Sequence, residues 1–320
     1  MTNLIRKLLL LFLLFTFHAT VARAQTTRPI AAIDRAIIIS IDGLRPDVLL
    51  RAKAPNLRAL MDRGSFTMYA ITTDVAITLP SHVSMLTGVK PARHGVDWNE
   101  DLPPDNQRYP KVPTLFQLAK QAGYTTAMAA GKSKFTVFNS PTPSTRPAPP
   151  AALDWIFLPQ TPHCENPEVA TEALAMLRDH RPQLLFIHLP STDNIGHAIG
   201  WGTTQQLAPV ETADAAIGDV LAALKELDLA QSTFILITSD HGGAGIHHGP
   251  GDFRSRYIPW IAAGPGIRAG YDLTRDERLE VHTEDTFATV CALLAIPTPN
   301  SLDGRMVDDI VDRAELLHGK

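Results

Sequence analysis

Ala36-Ile37-Ile38-Ile39-Ser40-Ile41-Asp42-Gly43 is the stretch from which the fold can be read. The run is almost wholly apolar, rich in β-branched side chains and without polar alternation. That pattern fits a strand buried on both faces. It stops at an aspartate, so an acid stands at the strand exit. Two further runs end the same way. Leu184-Leu185-Phe186-Ile187-His188-Leu189 leads into Pro190-Ser191-Thr192-Asp193, and Thr233-Phe234-Ile235-Leu236-Ile237-Thr238 leads into Ser239-Asp240-His241-Gly242. Around them lie helical patterns at residues 55–63, stopped by Gly64, 114–121, stopped by Gly123, 168–178, 209–227 and 285–295,. Strands are also expected at 125–129 and 258–262. Alternating strands and helices predict an α/β fold with a mostly parallel central sheet and helices on both faces. No internal repeat is present. Two proline-rich stretches, 102–113 and 141–150, read either as surface loops or as rims of a site.

The chain has 320 residues, 45% hydrophobic and 19% charged, the composition of a globular protein rather than a disordered or fibrous one,. A formal net charge of −4 excludes a global basic field, and with it a nucleic-acid scaffold as partner,. Anionic small molecules are not excluded, because bound cations invert the local potential. Arg6 and Lys7 precede an apolar run over 8–17, and Ala22-Arg23-Ala24 supplies a small-x-small cleavage pattern, so residues 1–24 read as a signal peptide and 25–320 as one mature domain,. The run is short of the roughly 20 apolar residues a spanning helix needs. The expected location is therefore secreted or periplasmic, with no membrane span after cleavage. Cys164 and Cys291 could pair in an oxidising compartment, or Cys291 could be a free thiol on a buried helix face.

Open α/β sheets bind ligands beyond the carboxyl ends of their strands, where Asp42, Asp193 and Asp240 all fall. One such acid could be a cap or a solvated turn, but three are hard to attribute to capping. Asp193 and His197 are four apart, so one helical turn sets both on one face. Asp240 and His241 are adjacent and need a loop to aim at one ion, which Gly242, Gly243 and Gly245 allow. His247 and His248 follow closely. Carboxylates with imidazoles suit zinc or a similar divalent ion. Thr78 opens Thr78-Leu79-Pro80-Ser81-His82, which resembles a helix start. It is either an N-cap or, beside a cation, an activated nucleophile.

Taken together, these motifs resemble the alkaline phosphatase superfamily, in its type I phosphodiesterase/nucleotide pyrophosphatase-like branch. The matching stretches include Ile39-Ser40-Ile41-Asp42-Gly43, Thr78-Leu79-Pro80-Ser81-His82, Pro91-Ala92-Arg93-His94-Gly95, Asp193-Asn194-Ile195-Gly196-His197, Thr238-Ser239-Asp240-His241-Gly242, His248-Gly249 and Ile258-Pro259-Trp260. The resemblance implies two divalent metal ions, zinc first among them. One is held by Asp193, His197 and His248, the other by Asp42, Asp240 and His241 next to Thr78. It implies a phosphoryl-binding asparagine at Asn99. A basic pair found in some relatives falls at Lys132 and Lys134, which otherwise read as two solvated lysines. His82, His94 and His282 read as structural, and His163 and His188 carry no signal.

Many relatives insert a large cap before the last histidine. Here only Gly242 to His247 intervene, so no large cap insertion is expected. Threonine at 78 and histidine at 82 argue against a formylglycine sulfatase. The implied activity is cleavage of phosphoric esters, with diesters or pyrophosphates favoured, through a phosphothreonine intermediate. The alternatives are a phosphomonoesterase or phosphonate hydrolase, transfer of the phosphoryl group to another alcohol, and a non-catalytic protein that binds metal or phosphate.

Overall fold

The computed structural model describes residues 28–139 and 152–313. The expected signal peptide and the second proline-rich stretch lie outside them. In chain order the principal elements are β1 (Arg35–Ile41), α1 (Pro46–Arg51), α2 (Pro55–Asp62), β2 (Ser65–Ile71), α3 (Thr78–Met85), α4 (Pro91–His94), α5 (Leu115–Gln121), β3 (Thr126–Ala130) and β4 (Trp155–Phe157). There follow α6 (Asn166–His180), β5 (Leu184–Leu189), α7 (Ser191–Ala198), α8 (Leu207–Glu226), β6 (Thr233–Thr238), α9 (Phe253–Arg256), β7 (Tyr257–Ala263), β8 (Tyr271–Asp272) and α10 (Asp285–Leu293).

The strands form one eight-stranded sheet in the order β4-β3-β5-β1-β6-β7-β2-β8. β1 is central and pairs parallel with β5 and β6. The reversed strand is β7, antiparallel to both β6 and β2. The sheet is thus mostly parallel, as expected.

Burial on both faces explains the unbroken apolar strands. Ala36 and Ile38 pack with Leu79, Val83, Phe116 and Val290, from α3, α5 and α10. Ile37, Ile39 and Ile41 pack the other way, against Leu57, Val169, Leu177 and Ile217, from α2, α6 and α8. Truncating any of these isoleucines to alanine should cost about 2–5 kcal/mol. Cys164 and Cys291 are both buried and free.

Three features differ from the reading of the sequence. β2 was not expected. Its burial alternates only partly, Tyr69 is exposed, and its register with β7 breaks between Thr67 and Ala70, so its pattern is that of neither a clean amphipathic strand nor a buried one. The short α1 and the short edge strands β4 and β8 were also missed. Thr78 is not an N-cap: Ile77 holds that place, and Thr78 is the first helical residue, its hydroxyl released from capping.

Register places the site. Ser40 lies opposite His188 on one side and Thr238 on the other. The three central strands therefore end level, and Asp42, Asp193 and Asp240 leave the same edge of the sheet.

Candidate active site

β1 delivers Asp42 directly. Gly43 follows in a left-handed conformation (φ 72°), and a Cβ there would lie 3.0 Å from the Asp193 Cα, so glycine lets the first and second strand exits close on each other,. Asp193 and His197 sit one turn apart on α7. Asp240 and His241 lie past the end of β6, in the loop their adjacency required. His248 comes from the segment before α9, whereas His247 is exposed.

Among the described residues two groups could hold a metal ion: Asp193 with His197 and His248, and Asp42 with Asp240 and His241. They adjoin, since His241 Nε2 is 3.9 Å from Asp193 Oδ1. The three histidines are oriented alike. His241 Nδ1 donates to the Gly242 carbonyl at 2.8 Å, His197 Nδ1 to Ile246 at 3.0 Å, and His248 Nδ1 to Ala76 at 2.8 Å. A carbonyl only accepts, so the proton is on Nδ1 and the Nε2 lone pair is left for a ligand, the orientation typical of metal-binding imidazoles. Burial, then the neighbouring His248, pushes His241 down to about 3, which keeps it neutral.

The carboxylates show the complementary pattern, with one oxygen committed to protein and the other without a partner. Asp42 Oδ2 accepts from His188 at 2.8 Å and meets Lys132 Nζ at 2.7 Å. Asp193 Oδ2 accepts from the same Nζ at 2.6 Å. Asp240 Oδ1 accepts from the Gly43 N–H at 3.1 Å. Asp42 Oδ1, Asp193 Oδ1 and Asp240 Oδ2 are buried with no hydrogen-bond partner. These atoms face imidazole Nε2 atoms at 3.5 Å (Asp42–His241), 3.5 Å (Asp193–His197) and 3.1 Å (Asp240–His241). Buried acceptors aimed at one another are costly unless a cation lies between them, and carboxylate oxygen with imidazole nitrogen is the donor set zinc accepts. The residues present therefore fit a pair of divalent ions.

The acids do not titrate alike. Burial drives Asp240 well above the ordinary carboxylate range, reinforced by the charges of Asp42 and Asp193. Burial opposes the Asp42 charge as well, but Lys132 and His188 outweigh it and hold Asp42 well below that range.

Thr78 is buried at the N-terminus of α3, and its Oγ1 lies 3.2 Å from His241 Nε2. His82 fixes this turn: Nδ1 donates to the Thr78 carbonyl and Nε2 accepts from Ser40 Oγ, both at 2.8 Å. Thr78, Asn99, Lys132, Lys134, Asp193 and His197 share the wall of an open cleft of about 710 Å³. Asn99 Oδ1 accepts from the Leu79 N–H at 3.0 Å and from Lys134 Nζ at 3.1 Å, leaving the Nδ2 end of its amide for a ligand. Burial and then Lys132 lower Lys134 to about 8. The two lysines thus divide: Lys132 is bound to two carboxylates, and Lys134 faces the cleft with Asn99.

Two contributors carried no signal in the sequence reading. His188 contacts Asp42, and its only trace is a polar residue inside an apolar strand, which needs a partner once buried. Trp201 donates to the Gly43 carbonyl at 2.9 Å and packs edge-on to His197 and His248, with centroids 4.9 and 5.7 Å away. A Cβ on Gly196 would come 2.5 Å from the Trp201 ring, which accounts for the glycine in Asp193-Asn194-Ile195-Gly196-His197. Of the remaining histidines, His94 is buried with Ser84, His282 lies beside Glu280, and His163 lines the cleft.

The fold and the donors define an α/β protein with a candidate two-cation site beside a buried threonine. A family model described as type I phosphodiesterase / nucleotide pyrophosphatase matches residues 36–268, and the chain belongs to that family. It is 27% identical over 216 residues to an uncharacterised pyrophosphatase/phosphodiesterase of Schizosaccharomyces pombe, covering 65% of this chain and 44% of that protein. It is 26% identical over 222 residues to human ectonucleotide pyrophosphatase/phosphodiesterase family member 1, covering 64% of this chain and 23% of that protein. The chain therefore spans less than half the length of these relatives. The structure of murine ectonucleotide pyrophosphatase/phosphodiesterase 5 superposes with a TM-score of 0.70 at 13% identity, over 87% of this chain and 100% of that one. Among the described residues no helix is long and apolar enough to cross a membrane.

Proposed function

We propose that this protein is an exported hydrolase of phosphoric esters that uses Thr78 as its nucleophile. The observation that carries the reading is the set of three partnerless carboxylate oxygens facing imidazole Nε2 atoms, one of which, on His241, is in hydrogen-bond contact with the Thr78 hydroxyl. Zinc ions at the two groups would supply Lewis acidity, stabilising the alkoxide and the charge on phosphoryl oxygens. Thr78 Oγ1 attacks phosphorus in line. An Oγ1–P bond forms as the bond to the leaving oxygen breaks, the Thr78 proton ends on that leaving oxygen, and the product is a phosphothreonine, which keeps the second ester group when the substrate is a diester. Water then cleaves the Oγ1–P bond: its oxygen joins phosphorus, one of its protons restores the Thr78 hydroxyl, and phosphate is released from a monoester substrate or a phosphomonoester from a diester. Asn99 Nδ2 and Lys134 donate to the phosphoryl oxygens, where negative charge must be carried.

Membership of the family and likeness to relatives named as pyrophosphatase/phosphodiesterases favour diesters or pyrophosphates. A second reading, a phosphomonoesterase or phosphonate hydrolase, is favoured by one observation: Lys134 adds a half-buried cation at Asn99, which suits a more highly charged phosphoryl group. The test is a rate profile of the zinc-loaded protein over p-nitrophenyl phosphate, its phenyl diester and a nucleotide diester, for the parent and Thr78→Ala. The variant should keep its fold and metal and lose turnover by at least roughly a thousandfold, as expected for a covalent nucleophile. Parent-level turnover in Thr78→Ala would refute the nucleophile. A parent inert to all three esters would favour a binding protein.

A further inference from the structure

His188 is fully buried in a strand whose other residues are apolar. Both its nitrogens are engaged. The Gly131 N–H donates to Nδ1 at 3.3 Å, which leaves the proton on Nε2, and Nε2 donates to Asp42 Oδ2 at 2.8 Å. The ring is wedged between Phe135 and His82, with centroids 4.3 and 5.0 Å away, so it cannot swing aside. It stands opposite Ser40, two residues before Asp42, and is anchored to the sheet itself. Lys132 shares the same Asp42 oxygen, but from a flexible stem that also serves Asp193.

We propose that His188 is a positioning residue: it fixes Asp42 Oδ2 so that Oδ1 is presented, as a single oxygen, to the cation of the Asp42, Asp240 and His241 group beside Thr78. The proposal rests on the reading that this group binds a cation. Without the bond from Nε2, Oδ2 is left to Lys132 alone, which Asp193 shares, and the Asp42 carboxylate can rotate about its last torsion and turn Oδ1 away from the Nε2 of His241, now 3.5 Å distant. The Asp193, His197 and His248 group receives no bond from His188 and should be left intact.

Two substitutions separate the bond from the bulk. Glutamine reaches as far as Nε2 and can still donate to Asp42, whereas asparagine reaches only as far as Nδ1. Metal-free parent, His188→Gln and His188→Asn are titrated with zinc against a competing chelator, and with cobalt followed by visible absorption. The parent should take two ions. His188→Asn should lose roughly 10–100-fold in affinity for one ion, the usual cost of removing a partner behind a metal ligand, with altered cobalt bands for that ion alone. His188→Gln should stay near the parent. Parent-like binding of both ions by His188→Asn, or an equal loss in both variants, overturns the proposal.

Asp240→Asn serves as the control. If it too binds both ions like the parent, the cation site itself is refuted and the positioning role with it. If Asp240→Asn loses one ion while His188→Asn does not, only the role of His188 falls. A measurement free of variants covers the case of misfolding: nitrogen-15 spectra of labelled histidine in the parent should show His188 protonated on Nε2, metal-free and loaded. Protonation on Nδ1 instead overturns the proposal.

Discussion

Lys132→Met removes one charge and keeps most of the side chain's volume. Lys132 Nζ lies 2.7 Å from Asp42 Oδ2 and 2.6 Å from Asp193 Oδ2, and all three side chains are buried. Burial opposes the ammonium, but Asp193 and Asp42 outweigh it and raise Lys132 above the ordinary lysine value. Breaking a buried ion pair from one side costs about 3–5 kcal/mol, because the remaining charge is left unpaired. Asp42 keeps its bond from His188, so the lower end, about 3 kcal/mol, applies to the metal-free protein. With a urea dependence of about 3 kcal/mol per molar for a chain of this size, the unfolding midpoint should fall by about 1 M. Saturating zinc should narrow that gap, since bound cations neutralise the same two carboxylates. The assay is urea unfolding by tryptophan fluorescence, with chelator and with zinc. Equal midpoints in chelator, or a gap that zinc widens, would refute the structural role of Lys132.

Lys134→Met should lower kcat/KM for a phosphate monoester roughly 10–100-fold, the worth of a hydrogen bond to a charged group, with a much smaller loss for a diester. Lys134 loses its charge as pH rises through about 8, so the parent's monoester kcat/KM should fall above that pH and the variant should lack that limb. His94 is neutral in the folded protein down to about 4, while the unfolded chain takes up a proton below its ordinary 6.5. Stability is therefore lost as pH falls through that window, by up to about 3 kcal/mol, and His94→Gln should remove this share from the pH dependence of urea unfolding. Gly196→Ala drives a Cβ to within 2.5 Å of the Trp201 ring. It should cost about 1–3 kcal/mol by overpacking, and calorimetry with zinc titration should show weaker metal binding.

What the sequence made legible follows from local physics. Apolar runs ending in Asp42, Asp193 and Asp240 announced strands buried on both faces and set the three acids of the candidate site at their common edge. The four-residue spacing of Asp193 and His197 announced a helix turn. β2 was missed because its side chains alternate only in part at the margin of the sheet. His188 was missed because a histidine in a strand shows no partner until the sheet register sets it beside Asp42. Lys132 and Lys134 are two residues apart, and no local pattern separates a lysine that bridges two acids from one that faces a cleft. That division arises from where β3, β5 and the chain after α4 converge.

The most direct test is anomalous diffraction at the zinc edge from crystals of the zinc-loaded protein. Two peaks are expected. One should lie about 2.0–2.2 Å from Asp193 Oδ1, His197 Nε2 and His248 Nε2, and the other at the same distance from Asp42 Oδ1, Asp240 Oδ2 and His241 Nε2, with the Thr78 hydroxyl beside it. Zinc bound elsewhere, with those oxygen and nitrogen atoms still turned toward one another, would contradict the account.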